Sequence, residues 1–62
     1  MTKEVLEILQ NRKAILKGGI TEDKARYGDA FLGQFMRGRV AVEERWLEET
    51  ERLIEFIEKH GN

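Results

Sequence analysis

The chain has 62 residues, of which 40% are hydrophobic and 37% are charged, with a net charge of −1 and with no cysteine or proline. This length allows one domain with a thin core, and the lack of cysteine excludes disulfides and thiolate metal sites. Domains this small usually depend on a disulfide, a metal or a partner subunit, so we expect the chain to associate with itself.

The first predicted element is a short N-terminal helix over residues 2–17. Apolar side chains recur on one side of it at helical spacing, namely Val5, Leu6, Leu9 and Leu16. Lys17 suits the negative end of this helix, and Gly18-Gly19 offers a left-handed position that would end it. The pattern therefore predicts a tight turn over residues 18–20.

A second helix is predicted over residues 21–59, since no proline or loop cluster interrupts this stretch. Thr21 is a good N-cap residue, and Glu22 and Asp23 place negative charge in the first turn, where the helix dipole favours it. Because short connections join antiparallel helices, the chain is expected to form a helical hairpin.

Three glycines lie inside this second segment at intervals of five, at Gly28, Gly33 and Gly38. Each costs roughly 0.5–1 kcal/mol relative to alanine in a helix interior. Intervals of five do not place them on one helix face, which favours a bend near residue 28 or 38 over a close-packing groove. The sequence leaves open whether the long helix is straight or bent.

Apolar side chains of the second segment form two adjacent rows. One contains Leu32, Phe35, Val42, Trp46, Leu53 and Phe56, and the other contains Met36, Val40, Leu47, Ile54 and Ile57. Together they form a wide stripe, which is typical of a helix in a multi-helix core. The predicted fold is an all-α single domain, residues 1–62, that assembles as a homo-oligomeric helical bundle. The predicted interface residues are Phe31, Phe35, Trp46, Leu53 and Phe56.

Catalytic chemistry is not expected. The sequence has no serine or cysteine, and its one histidine, His60, lies two residues from the end. We therefore predict that the protein is not an enzyme and that it has neither a metal site nor a cofactor. Five glutamates follow one another closely in the second helix, namely Glu43, Glu44, Glu48, Glu49 and Glu51. They could hold magnesium, but a solvated acidic helix face is the favoured interpretation.

A cluster of cations and an aromatic ring surrounds the first glycine of the series. Its members are Lys24, Arg26, Tyr27, Gly28, Arg37 and Arg39, and together they suit a nucleotide-like anion in an interfacial pocket. The segment KARYGDAF, residues 24–31, resembles a segment of some phage-associated helical domains connected with nucleotide modification or nucleotide pyrophosphate hydrolysis. This resemblance favours a nucleotide-like ligand, although the paired acidic motifs of helical pyrophosphohydrolases are not matched.

By elimination, binding is the predicted mode of action. The leading hypothesis is a small non-enzymatic regulator or inhibitor, of phage or accessory-gene type, that acts on a host or partner protein; the alternative is the anion-binding oligomer. Residues 1–39 carry a net charge of +3 and residues 40–62 carry −4, so the acidic helix would repel nucleic acid. No stretch is apolar enough for a membrane span or a signal peptide, and a cytoplasmic location is expected.

Overall fold

The computed structural model describes residues 1–60 as two α-helices packed against each other in a hairpin. The first, α1, spans Thr2–Lys24, and the second, α2, spans Gly33–His60. The Cα atoms fill a rod of 49 × 14 × 11 Å. The all-α helical hairpin predicted from the sequence is therefore confirmed.

The reversal of the chain lies over residues 25–32 and not at residues 18–20, where the sequence pattern had predicted it. Helix α1 continues through Gly18 and Gly19, and no glycine has a positive φ. The continued turns bury Ile20 against α2, which offsets the helix penalty of the two glycines. Thr21 is consequently no N-cap; its hydroxyl donates to the carbonyl of Lys17 at 3.0 Å, inside the helix.

Within the connection, Asp29 caps the turn that leads into α2. The Asp29 carboxylate accepts hydrogen bonds from the backbone N–H groups of Phe31 and Leu32, both at 2.8 Å. These two bonds, that from Leu32 foremost, lower the pKa of Asp29 below its usual value. The bend predicted near Gly28 falls within this connection, whereas Gly38 lies inside α2.

Gly33, at the start of α2, is the glycine that the connection requires. A Cβ atom at this position would lie 2.6 Å from the carbonyl oxygen of Tyr27, which is a backbone atom. At Gly28 and Gly38, by contrast, a Cβ atom would meet nothing within 4 Å. Of the three spaced glycines, only the middle one is explained by a close approach.

The two helices meet along a seam in which inward positions alternate in steps of three and four, as in a coiled coil. The seam positions, all buried or half-buried, are Leu6, Leu9, Lys13, Leu16, Ile20 and Asp23 on α1 and Gly33, Met36, Val40, Glu43, Leu47, Thr50, Ile54 and Ile57 on α2. Five of these apolar side chains are at most 9% exposed: Leu9, Ile20, Met36, Val40 and Ile54. Of the two apolar rows predicted on the second helix, the row that begins at Met36 faces α1 and forms the core. The row that begins at Leu32 does not.

Candidate protein-binding face

One long side of the hairpin exposes large apolar side chains from both helices. These residues, called the apolar face below, are Val5, Ile8 and Ile15 of α1 and Phe35, Val42, Trp46, Leu53 and Phe56 of α2. Trp46 is 46% exposed and Phe56 is 63% exposed. Each member comes one position before a seam residue, as Val5 precedes Leu6 and Trp46 precedes Leu47.

Because each of the eight residues comes one position before a seam residue, all of them lie on the same side of the hairpin. A step of one residue turns a helix by about 100°, and the sense of that turn reverses when the helix runs in the opposite direction. The residues before the seam therefore point to one side of an antiparallel pair. Val5 and Phe56 accordingly line one groove of about 290 Å³ at the open end of the hairpin.

A larger groove, of about 560 Å³, lies along α2 towards the connection. It is lined by Gln34, Phe35, Gly38, Arg39, Val42, Glu43 and Trp46. The absence of a side chain at Gly38 leaves its floor open. Shallow apolar grooves with a few polar groups at the edge suit the side chains of a partner helix better than a small polar ligand.

A buried pair of carboxyl groups, Asp23 and Glu43, lies at the edge of this groove. Asp23 is 5% exposed and Glu43 is 8% exposed. The hydrogen bond to Asp23, reinforced by desolvation and by the Asp23 charge, raises the pKa of Glu43 above its usual value, and Arg39 opposes this in part. Asp23 Oδ2 lies 3.2 Å from Arg39 Nε, although it accepts no well-aligned hydrogen bond.

Gly19 makes room for this pair. A Cβ atom there would lie 2.8 Å from Glu43 Oε2, so the glycine lets the glutamate side chain lie directly over α1. In its protonated form Glu43 can donate a hydrogen bond to the Asp23 carboxylate, and the guanidinium of Arg39 opposes the negative charge of the pair. The close approach of the two carboxyl groups is thus consistent with the raised pKa of Glu43.

The sequence interpretation of these two acids was wrong. Asp23 was placed in the first turn of a helix, and Glu43 was placed on a solvated acidic face, but both occupy the seam. Their positions in the three-four alternation, after Ile20 and after Val40, are the signal that could have found them. Among residues 1–60, no group of three or more acidic, histidine or cysteine side chains could hold a metal ion.

The predicted anion-binding residues gather near the connection, but most of their charge is already opposed. Arg39 and Arg26 lie 3.2 and 3.8 Å from Asp23, and Lys24 Nζ lies 3.8 Å from Glu44 Oε2. Arg37 stacks over the ring of Tyr27, 4.6 Å from its centre. The nucleotide-like ligand stays a prediction, with less free positive charge than the sequence had indicated.

The predicted interface residues Phe31, Phe35, Trp46, Leu53 and Phe56 are all exposed on the hairpin. Four of them belong to the apolar face, and Phe31 lies in the connection. Sequence reasoning missed the contribution of α1, because every predicted interface residue belonged to the second predicted helix. Neither described helix contains a stretch long and apolar enough to cross a membrane.

No protein-family model, curated protein sequence or solved structure matches the chain significantly. Its function is therefore inferred from the geometry of its own residues.

Proposed function

We propose that this chain is a non-catalytic helical hairpin that acts as a regulator or inhibitor by binding protein through the apolar face. The observation that carries this proposal is the alignment of eight large, exposed apolar side chains on one side of both helices. Soluble domains rarely expose so many large apolar side chains on one side unless that side binds a partner.

The composition of the face supports a protein partner in particular. Its centre holds Trp46, and its ends hold Phe35 and Phe56, which are residue types that dominate the energetics of protein interfaces. Charged side chains lie among the apolar members, since Arg12, Glu22, Arg39 and Glu49 also come one position before a seam residue. Aromatic anchors accompanied by charged groups are typical of protein–protein contacts.

Site-specific photo-crosslinking tests this proposal. A photoreactive phenylalanine analogue would replace Phe35 or Leu53 on the apolar face, or Glu48 as a control. Glu48 is 68% exposed and comes one position after the seam residue Leu47, so it lies on the other side of the hairpin. The crosslinked products would be identified by mass spectrometry from the native cell or from purified protein.

We expect positions 35 and 53 to give discrete protein adducts and position 48 to give few or none. A second copy of the chain counts as a protein adduct. Equal labelling at all three positions, or the absence of any protein adduct at positions 35 and 53, would show that the face does not bind protein.

A further inference from the structure

The accessible surface of the hairpin is larger than its mass warrants. It measures 5045 Å², whereas a compact folded chain of 7.3 kDa exposes about 4,200 Å². The excess, about 800–900 Å², is close to the roughly 800 Å² that each partner buries in a standard protein interface. The excess belongs to the whole elongated rod, and covering one long side with a partner would bring the exposed surface close to that of a compact protein.

The core also needs further burial. Five buried apolar side chains are few for a domain without disulfides, and chains of this size usually gain further apolar burial from association. A second hairpin laid on the apolar face would convert a two-helix seam into a four-helix core. Twofold pairing is the commonest way in which a chain covers such a surface with itself.

Four charged side chains lie among the apolar members, and the positions of two of them distinguish a second copy from other occupants. Arg12 and Glu49 come one position before the seam residues Lys13 and Thr50, in line with the apolar members. Among residues 1–60 neither has an ion-pair partner, although Arg45 stands four residues before Glu49. Glu22 and Arg39 take the same position relative to the seam, nearer the connection, where Arg39 pairs with Asp23. The middle of the face thus carries one free cation and one free anion.

The hairpin already fixes the levels of these two charges along its axis. Lys13 Nζ lies 3.5 Å from Glu51 Oε2, so residue 12 of α1 and residues 49–51 of α2 lie at nearly the same height. A twofold axis parallel to the helices would place α1 of each copy against α2 of the other. Such a rotation leaves the position of every residue along the helix axis unchanged. Arg12 would then meet Glu49 of the partner subunit, and the same pair would form twice.

We propose that the apolar face is covered by a second copy of this chain in a twofold four-helix bundle, with reciprocal Arg12–Glu49 ion pairs fixing the register. This inference rests on the proposed function, since it names the first partner of the same surface. Apolar burial supplies the affinity, and the charge pairs select the orientation, as complementary charges do at other interfaces.

Charge reversal combined with sedimentation equilibrium tests the inference on the full chain. Arg12→Glu places two acids together and Glu49→Arg places two cations together, so each single change should raise the dimer Kd by about tenfold or more. The double variant restores opposite charges and should recover most of the affinity. Lys17→Glu makes the same charge change as Arg12→Glu, but Lys17 comes one position after the seam residue Leu16 and so lies on the other side of the hairpin; this variant should leave the Kd unchanged.

Several outcomes would overturn this inference. A native chain that is helical but monomeric at about 100 μM would do so, as would an oligomer of more than two chains. Single charge reversals that both leave the dimer Kd unchanged would also contradict it, as would a double variant that dimerises no more tightly than the single variants. The proposed function fails separately, since it requires protein adducts at positions 35 and 53 whatever their identity. Monomeric protein that still forms adducts with other proteins would contradict the second copy alone.

Discussion

Glu43 is the residue whose environment departs most from what its type suggests. It is an acid in an apolar seam, and its nearest charged neighbours are the acid Asp23 and the cation Arg39. Removing water from a carboxylate is costly, and a second carboxylate adds repulsion, so the protonated form is favoured. Gly19 and the hydrogen bond to Asp23 make this arrangement possible.

The raised pKa of Glu43 predicts how stability depends on pH. The folded chain holds this proton more tightly than the unfolded chain, so the stabilisation is complete below the ordinary glutamate pKa and is lost as pH rises through the raised value. Glu43→Gln keeps a donor towards Asp23 at every pH. We expect it to raise Tm at pH 7 by several degrees and to flatten the decline of Tm between about pH 4 and pH 7.

Thermal unfolding followed by circular dichroism across this pH range measures the effect at fixed protein concentration. Glu44→Gln is the matched control, because it removes the same charge from an exposed neighbour that pairs with Lys24. A Glu43→Gln variant that melts below the native chain at pH 7, or that tracks the Glu44→Gln profile, would contradict the buried acid pair.

At the scale of the helices, the position of the turn shows what the sequence could and could not determine. The spacing of Leu9, Leu16, Val40 and Ile54 was enough to predict two helices and a hairpin. The turn was misplaced because Gly18-Gly19 has the chemistry of a helix end, whereas Ile20 and Asp23 continue the seam. The free energy gained by burying the seam residues outweighs the helix-breaking tendency of the two glycines. This burial depends on contact with the other helix, which the residues around the glycines do not reveal.

Alanine substitutions separate the two possible positions of the turn. Gly18 is inside α1 with open space around its Cα, so Gly18→Ala should stabilise the chain by about 0.5–1 kcal/mol. Gly33→Ala would force a Cβ atom against the Tyr27 carbonyl and should destabilise by about 1 kcal/mol or more. Urea unfolding measures both changes, and destabilisation by Gly18→Ala would indicate a turn at residues 18–20 instead.

At the scale of the whole molecule, the hairpin is a rod with an uncovered side. The wide apolar stripe of α2 was evident from the sequence, but its division between core and surface was not. Residues Met36 and Phe35 are adjacent in both chain and stripe, and only the placement of α1 decides which of them is buried. The same placement puts Ile8 and Ile15 on the same side of the hairpin as Trp46, so the binding surface emerges only when both helices are in position.

Trp46 is the only tryptophan of the chain and lies within the apolar face, so acrylamide quenching of its fluorescence reports directly on this surface. We predict efficient quenching in dilute protein and strong protection as concentration rises into the range where sedimentation detects association. Arg12→Glu should shift the onset of protection to higher concentration. Trp46 that is protected in the dilute monomer, or that stays accessible when the chain associates, would contradict the assignment of this face as the binding surface.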